Sequence, residues 1–555
     1  MSDTRFLDFA KVCSRIEEIS GSIAITEIVS DFFRRLDDEE LSIVPHFIMG
    51  KVFAEWSPYE MGIGPGLLYD AVKQAFDTDK SEINKALRRT GDIGKAIEIF
   101  AANRRQQTLF AEDLTIKKVY ASFVEIAKKV GPGSQKKKVR LLVDLFLQAS
   151  PLEVRYLSRL VLEELRIGVG EGIVRDAIAK AFEVDVELVE RALMLTNDPG
   201  IVATYARNYG NDGLKSIQLF PGRPVKMMLA QVAAGIEDAL ANIQSPAIEW
   251  KFDGTRVQIH KDGDEIRIYS RKLENVTESI PEIVSVVKKK LSGDSFILDG
   301  EVIAIDDDGK PRPFQDILRR FRRKHRVEEM RNLIPLHLHV FDILYLDGKT
   351  LIDLPLSERR EILEGIAVSD EAPIAKQYLC NDAGMIDRIY NEALHAGHEG
   401  IMVKNRDSRY TPGKRGKNWL KIKPLMETLD LVVVGGEWGE GKRANLIGSY
   451  RLACLDPARD RLLEIGRVGT GLTDEQLVEF TELFSDLILS ETGSSIEFKP
   501  EIVFEVAYEE IQKSTKYDSG YALRFPRVLG LREDKSVADA DTIERVEQLY
   551  NKKGC

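Results

Sequence analysis

Cysteine is nearly absent from this sequence. There are four, at 13, 380, 454 and 555, with no CxxC pair. That excludes a disulfide framework and a cysteine-rich zinc module, and it suits a chain kept in a reducing, intracellular compartment. The seven histidines (46, 260, 325, 337, 339, 395 and 398) show no zinc spacing, and no Ser/His/Asp arrangement stands out. No apolar run is long enough to span a bilayer. The start, MSDTRFLDFAKVCSRIEE, reads as an amphipathic helix with acidic residues, not a signal or transit peptide. Internal repeats and low-complexity tracts are missing as well. Positive charge is in deficit: 79 Lys and Arg against 90 Asp and Glu leave a net charge of −11. As a whole-chain average, that argues against a nucleic-acid partner.

What is present describes an ordinary globular chain, 43% hydrophobic and 30% charged. Its 555 residues exceed one hydrophobic core, and at roughly 150 residues per domain they predict about three or four. Residues 1–219 read as helical, with apolar positions at three- and four-residue spacing in FLDFAKVCSRIEEI, AITEIVSDFFRRL, VRLLVDLFLQA and EVRYLSRLVLEELRI. Gly/Pro/Ser breaks separate them: GIGPG (62–66), VGPGSQ (130–135) and IGVGEG (167–172). Two prolines and a glycine in LFPGRPVKMMLAQ (219–231) end this region. Residues 220–424 carry β-branched runs (AIEWKFDGTRVQIHKDG, EIRIYSRKL, FILDGEVIAID, LHLHVFDILYLDG) between helical segments such as PEIVSVVKKKL. The pattern is that of an α+β domain with mostly antiparallel sheet. Residues 425–555 hold short strands and one helix, TDEQLVEFTELFSDLIL, which suits a five-stranded barrel of the oligonucleotide-binding type.

The chemistry gathers around Lys251-Phe252-Asp253-Gly254-Thr255-Arg256, followed in fixed order by SRKLE (270–274), LDGE (298–301), VFDILY (340–345), EGIMVK (399–404), WLKIK (419–423) and LRFPRVLGLREDK (523–535). A free lysine has a pKa of ~10.4, so a nucleophilic Lys251 needs cations nearby to favour its neutral form. Lys421 and Lys423 lie two apart on a strand and share a face. Together the segments resemble the motif series of the covalent nucleotidyltransferases, and of the ATP-dependent DNA ligases in particular. PGRPVKMMLA, GPGSQKKK and LRIGVG resemble landmarks of the helical DNA-binding domain of archaeal and eukaryotic replicative ligases.

The resemblance implies an all-α DNA-binding domain (1–219), an α+β adenylation domain with antiparallel sheets (220–424) and a C-terminal OB-fold barrel (425–555). It implies ATP as co-substrate, Mg²⁺ or Mn²⁺ as metal, and Lys251 as the residue that becomes lysyl-AMP. Glu249 then matches the position that reads the adenine amine, Phe341 the stacking aromatic, and Arg256, Arg271 and Glu301 the ribose and phosphate contacts. Arg415 matches another ATP contact, although KRGK equally suits a basic loop on DNA. Lys421 and Lys423 face the phosphate. Glu301 and Glu399 are the metal ligands, carboxylates suiting a hard cation. Arg532, Asp534 and Lys535 orient the pyrophosphate, from a barrel that must swing onto the nucleotide and away again.

On the substrate side, glycine turns at helix starts offer N–H groups to phosphate. Ser134, Lys136, Lys137, Lys138, Gly168 and Gly170 are the expected DNA contacts. ILRRFRRKHR (317–326) either lines the nick-facing groove or forms a solvated helix face. Gln106, Leu109 and Phe110 resemble a sliding-clamp peptide. These local cations reconcile a DNA enzyme with the net charge. The implied protein is a monomeric cytoplasmic, nucleoid-associated enzyme of replication, repair and recombination that seals nicks. Two alternatives are weighed against it: an RNA ligase or capping-type enzyme, which the long helical front disfavours, and a non-catalytic clamp-tethered scaffold, which the complete motif series disfavours.

Overall fold

The structure, a computed structural model, describes residues 3–103, 113–306, 309–312, 314–321, 327–368, 372–424, 428–439, 445–459 and 461–552. The chain divides into two compact units, one built from Met1–Leu87 and Ile93–Pro424, the other from Arg88–Asp92 and Leu425–Cys555.

Twelve helices, from Phe6–Glu17 to Pro199–Ser216, make up the front of the first unit among the described residues. Their registers follow the apolar spacing. The first buries Phe6, Phe9, Ala10, Cys13 and Ile16, one stripe of a helical surface. Helix Asp38–Ile48 starts on a capping box in which Asp37 accepts from the Glu40 N–H and Glu40 accepts from the Asp37 N–H.

After the linker at 217–228 come two five-stranded sheets. In the first, the order is Leu229–Val232, Arg415–Ile422, Gly400–Asn405, Pro246–Lys251 and Gln377–Leu379. In the second it is Glu265–Ser270, Thr255–Asp262, Ser295–Ala304, Leu336–Leu346 and Lys349–Thr350. All pairings are antiparallel except Leu229–Val232 with Arg415–Ile422. The turn 252–254 carries the chain from the first sheet to the second, so Lys251 stands where the sheets meet. One apolar core runs from the helices through linker residues Val225 and Met228 to Phe341, Tyr410 and Trp419.

The second unit is sheet-rich. Among the described residues, seven antiparallel strands form its main sheet, and Glu510–Lys513 pairs with Tyr521–Arg524 as a separate hairpin. Tyr450, Phe480, Phe484 and Phe504 fill the core beneath helix Asp474–Ser485. The five-stranded expectation undercounts here. Strand Ile488–Thr492 is almost wholly exposed and carries no apolar alternation, so nothing in its sequence marks it as a strand.

Candidate functional site

Two glycines fix the backbone around Lys251. A Cβ on Gly254 would lie 2.7 Å from the Val302 carbonyl oxygen and 2.8 Å from Glu301 Cγ, so only glycine lets the turn press onto the LDGE strand. Gly400 has φ +133°, and a Cβ there would meet the Ile422 carbonyl oxygen at 2.2 Å. That contact brings the EGIMVK and WLKIK strands together beside Lys251, whose strand partner is Gly400.

Lys251 Nζ forms an ion pair with Glu399. The Lys251 and Lys423 charges hold the Glu399 carboxyl below its usual range, although burial works in the opposite direction. Glu301 behaves differently. Burial pushes its pKa up to about 7, with Glu399 and Asp253 adding to the rise and Lys251 and Arg256 opposing it. A carboxyl at that value is divided between its two forms near neutral pH. These carboxylates suit a hydrated hard cation that draws on one or two protein oxygens. They do not form a closed cage. Among the described residues, the one group of three acidic ligands within reach of each other is Asp3, Asp37 and Glu40. The Lys117 ammonium already lies there, 3.0 Å from Asp3 and 2.7 Å from Asp37.

Glu249 is 2% exposed. Its carboxylate accepts from Lys404 Nζ at 2.6 Å and from Gln377 Nε2 at 2.9 Å. Lys404 also lies 4.3 Å from the Phe341 ring centre and 4.5 Å from that of Trp419. Arg256 stacks on the same two rings at 5.2 and 5.5 Å, a pair of cation–π contacts. A closed ring of hydrogen bonds secures it. The Met228 N–H donates to Tyr410 Oη (2.9 Å), which donates to Asp299 Oδ2 (2.5 Å). Asp299 Oδ2 accepts from Arg256 (2.6 Å), and Arg256 donates back to the Met228 carbonyl (2.5 Å). Phe341 is followed by Asp342, which forms a fully buried pair with Arg359 at 2.8 and 2.9 Å.

Lys251, Glu249, Arg256, Glu301, Phe341, Glu399 and Lys423 thus converge where the sheets meet, and Lys421 shares the strand face of Lys423. Arg271 is exposed on the wall of a cavity of about 1700 Å³ with Lys272, Lys51, Trp56 and Lys226. Arg415 is exposed at the start of its strand, six residues from Lys421. Arg532, Asp534 and Lys535 form a cluster in the second unit, centred on Asp430.

In the helical part, Ser134 opens helix Ser134–Gln148 behind Gly133 (φ +77°). Gly170 precedes helix Glu171–Phe182, and neither helix start carries a side-chain cap. Lys136 and Lys137 are exposed. Lys138 is not: it is 7% exposed and donates to the Met61 carbonyl at 2.6 Å, which closes the Gly62 loop and removes this charge from the surface. Arg320, in the basic run, is also turned inward, paired with Glu282, while residues 322–326 lie outside the described residues. So do Gln106, Leu109 and Phe110.

Several residues carried no expectation: Asp299, Lys404, Gln377, Tyr410 and Trp419 at the sheet junction, and Asp430 in the second unit. Strand alternation could have found the first two, since Asp299 shares a face with Glu301 and Lys404 is the last residue of EGIMVK. Gln377 and Asp430 have no local signal, because only tertiary pairing brings them in.

A lysine at the junction of two antiparallel sheets, with acidic neighbours and a buried aromatic–cation floor, defines the class of covalent nucleotidyltransferases. Three family models narrow it: DNA ligase N terminus over residues 5–179, ATP dependent DNA ligase domain over 227–423, and ATP dependent DNA ligase C terminal region over 443–535. The chain is 53% identical over 547 residues to a DNA ligase of Archaeoglobus fulgidus, covering 98% of each protein. It is 51% identical to DNA ligase 2 of Methanosarcina acetivorans (99% of each) and 49% identical to a DNA ligase of Thermococcus fumicolans (98% of each). The chain belongs to the ATP-dependent DNA ligase family. A solved structure described as Pmar-Lig_PreS3 shares the fold, with a TM-score of 0.58 at 18% identity over 94% of this chain and 99% of that one.

Proposed function

We propose that this protein seals nicks in duplex DNA at the expense of ATP, through a lysyl-AMP on Lys251. One observation carries the assignment of the nucleophile: Lys251 ends its strand at the sheet junction, between Glu399 and Glu301 and within reach of the Lys423 charge.

In the first step Lys251 Nζ attacks the α-phosphorus of ATP and pyrophosphate leaves. The AMP passes to the 5′-phosphate at a nick, and the 3′-hydroxyl then displaces it to form the phosphodiester. Glu249 accepts from the adenine amine, held in place by Lys404 and Gln377. Phe341 stacks on the base, and Arg256, Arg271 and Arg415 contact ribose and phosphate. Lys421 and Lys423 face the α-phosphate and offset the charge that develops there. Glu399 holds the lysine in place before the nucleotide arrives. Arg532 and Lys535, with Asp534 holding the Arg532 guanidinium until the anion arrives, orient the leaving pyrophosphate, so the second unit must meet the nucleotide in step one and leave it afterwards.

The family implies ATP and a divalent cation. Glu301 and Glu399 would hold that ion, Mg²⁺ or Mn²⁺, whose charge offsets that developing on the phosphate. We assign DNA contact to the uncapped helix starts at Ser134 and Gly170, with Gly168, Lys136 and Lys137. Clamp docking falls to Gln106, Leu109 and Phe110. The domain limits we assign are 219/220 and 424/425, in a monomeric cytoplasmic protein. No helix among the described residues is long and apolar enough to cross a membrane.

The test is incubation with α-labelled ATP. Wild type becomes covalently labelled and Lys251→Ala does not; a labelled Lys251→Ala protein overturns the assignment. The RNA-ligase alternative is not favoured, given the match of residues 5–179 to the DNA ligase N terminus, nor is the scaffold, given the match of residues 227–423 to the ATP dependent DNA ligase domain.

A further inference from the structure

The second unit contains a charge cluster that the motif series leaves half explained. Arg532 spends its donors on two carboxylates. Nε and one terminal nitrogen grip Asp534 at 2.8 and 2.7 Å, while the other terminal nitrogen lies 3.1 and 3.0 Å from the oxygens of Asp430. Lys535 Nζ donates to Asp430 as well, at 2.5 Å. Two cations therefore share one carboxylate that belongs to a different strand.

The two acids are not equivalent. The Asp534 side chain is 66% exposed, on the same turn as the cations, whereas that of Asp430 is 12% exposed. The backbone of Asp430 is also fixed: its N–H donates to Asp541 Oδ2 at 2.8 Å, and its carbonyl accepts from the Asp541 N–H at 2.8 Å. Arg532 is tied to the sheet through its own N–H, on the Val503 carbonyl at 2.9 Å.

We propose that Asp430 is the positioning residue of this cluster, holding Arg532 and Lys535 together as one anion-binding unit, with Asp534 the replaceable partner. This rests on the reading that Arg532 and Lys535 orient the pyrophosphate. Two arguments support it. The first is charge: among these four side chains, withdrawal of one acid leaves two cations against one carboxylate, a balance that favours an incoming polyanion. The exposed one can rotate into water at little cost; the buried one cannot. The second is geometry. The Nε edge of a guanidinium takes a pair of oxygens from a carboxylate or a phosphate alike. Pyrophosphate can therefore take the edge now held by Asp534, while the remaining nitrogen and the lysine stay anchored on Asp430. Without that anchor the two long side chains would each lose freedom only when the anion arrives, and the step would carry that cost.

The experiment separates the chemical steps on the full chain. Lysine adenylation is timed with α-labelled ATP, and sealing is timed without ATP on a nick already carrying AMP on its 5′-phosphate. Asp430→Asn removes the charge and keeps the shape. It should slow adenylation about tenfold or more while sealing of the adenylated nick stays within about twofold of wild type. Asp430→Glu keeps the charge and displaces it by one methylene, and should fall between wild type and Asp430→Asn. Arg532→Ala is the control for the underlying reading.

Asp430→Asn adenylating like wild type while Arg532→Ala is impaired overturns the proposal and spares that reading. Arg532→Ala adenylating like wild type overturns both. Loss of both steps in equal proportion in Asp430→Asn assigns Asp430 to stability alone and also overturns it. If Asp430→Asn does not fold, Asp430→Glu decides by the same two rates: slowed adenylation with intact sealing supports the proposal, and any other result ends it.

Discussion

Replacing Arg359 by methionine removes four hydrogen bonds from a site with no access to water. Its guanidinium donates to both oxygens of Asp342, to the Leu354 carbonyl at 2.6 Å and to the Ser408 carbonyl at 3.1 Å, and both members of the ion pair are 0% exposed. The variant leaves the Asp342 carboxylate buried, with the Ile343 N–H donating to it and the guanidinium gone. Breaking one side of such a pair costs about 3–5 kcal/mol, mostly the penalty on the charge left behind. Unfolding entropy of about 2.1 cal/mol/K per residue over the roughly 420 residues of the first unit converts 4 kcal/mol into a drop of about 5 °C in melting temperature. Asp342→Asn/Arg359→Met should melt above Arg359→Met alone, because the second change removes the stranded charge. Asp342 follows Phe341, so the single variant should also adenylate more slowly. The measurement is a thermal melt of all four members of the cycle, with lysyl-AMP formation alongside. A single variant melting within about 2 °C of wild type, or a double variant at the sum of the two singles, would refute the reasoning.

Three further outcomes follow from the same structure. Burial, with the Arg267 charge, lowers the pKa of His260 to about 3, so the unfolded chain binds a proton below pH 6.5 that the folded one does not. Stability falls as pH drops through 6.5, by about 2 kcal/mol from this residue at pH 5. His260→Gln should lose correspondingly less melting temperature than wild type between pH 7 and pH 5, and an equal loss would refute the assignment. Tyr410→Phe leaves the buried Met228 N–H unpaired and Arg256 with one partner fewer. It should cost about 1–3 kcal/mol in a melt and raise the KM for ATP in lysine adenylation; an unchanged KM would separate Tyr410 from nucleotide binding. Lys136→Ala/Lys137→Ala should reduce the slope of nick affinity against log salt by about two, whereas Lys138→Met should leave the slope alone and lower the melting point. Equal slopes in all three proteins would remove this helix start from the DNA contacts.

The sequence made the fold class and the Lys251 strand legible because both rest on local signals: apolar spacing in the helices, alternation in the strands, and glycines where the backbone crowds. Gly254 and Gly400 are conspicuous in KFDG and EGIMVK for the same steric reason that the structure requires them. The partners were hidden. Glu249 reads as one acid beside a strand end, and nothing in its own segment pairs it with Lys404, 155 residues away in sequence. Lys138 looked like its two neighbours in a run of three, but helical geometry turns it about 200° from Lys136 and points it inward. Asp430 sits in an apolar strand, where an acid reads as a strand end until the charges it gathers are seen.

The ring that holds Arg256 uses the main chain of Met228, its N–H and its carbonyl, rather than a side-chain charge. The residue we assign to nucleotide contact is thereby attached to the peptide that follows the helical front of the chain. The same segment is anchored upstream, where the Gly222 and Val225 N–H groups donate to His260 Nδ1 and Gln258 Oε1, so inserting or deleting one residue between those anchors and Met228 displaces both atoms of the ring. Related chains should therefore keep the residue count between Leu219 and Leu229. A graft of this adenylation module onto another front end would have to keep the length of that segment before anything else in it.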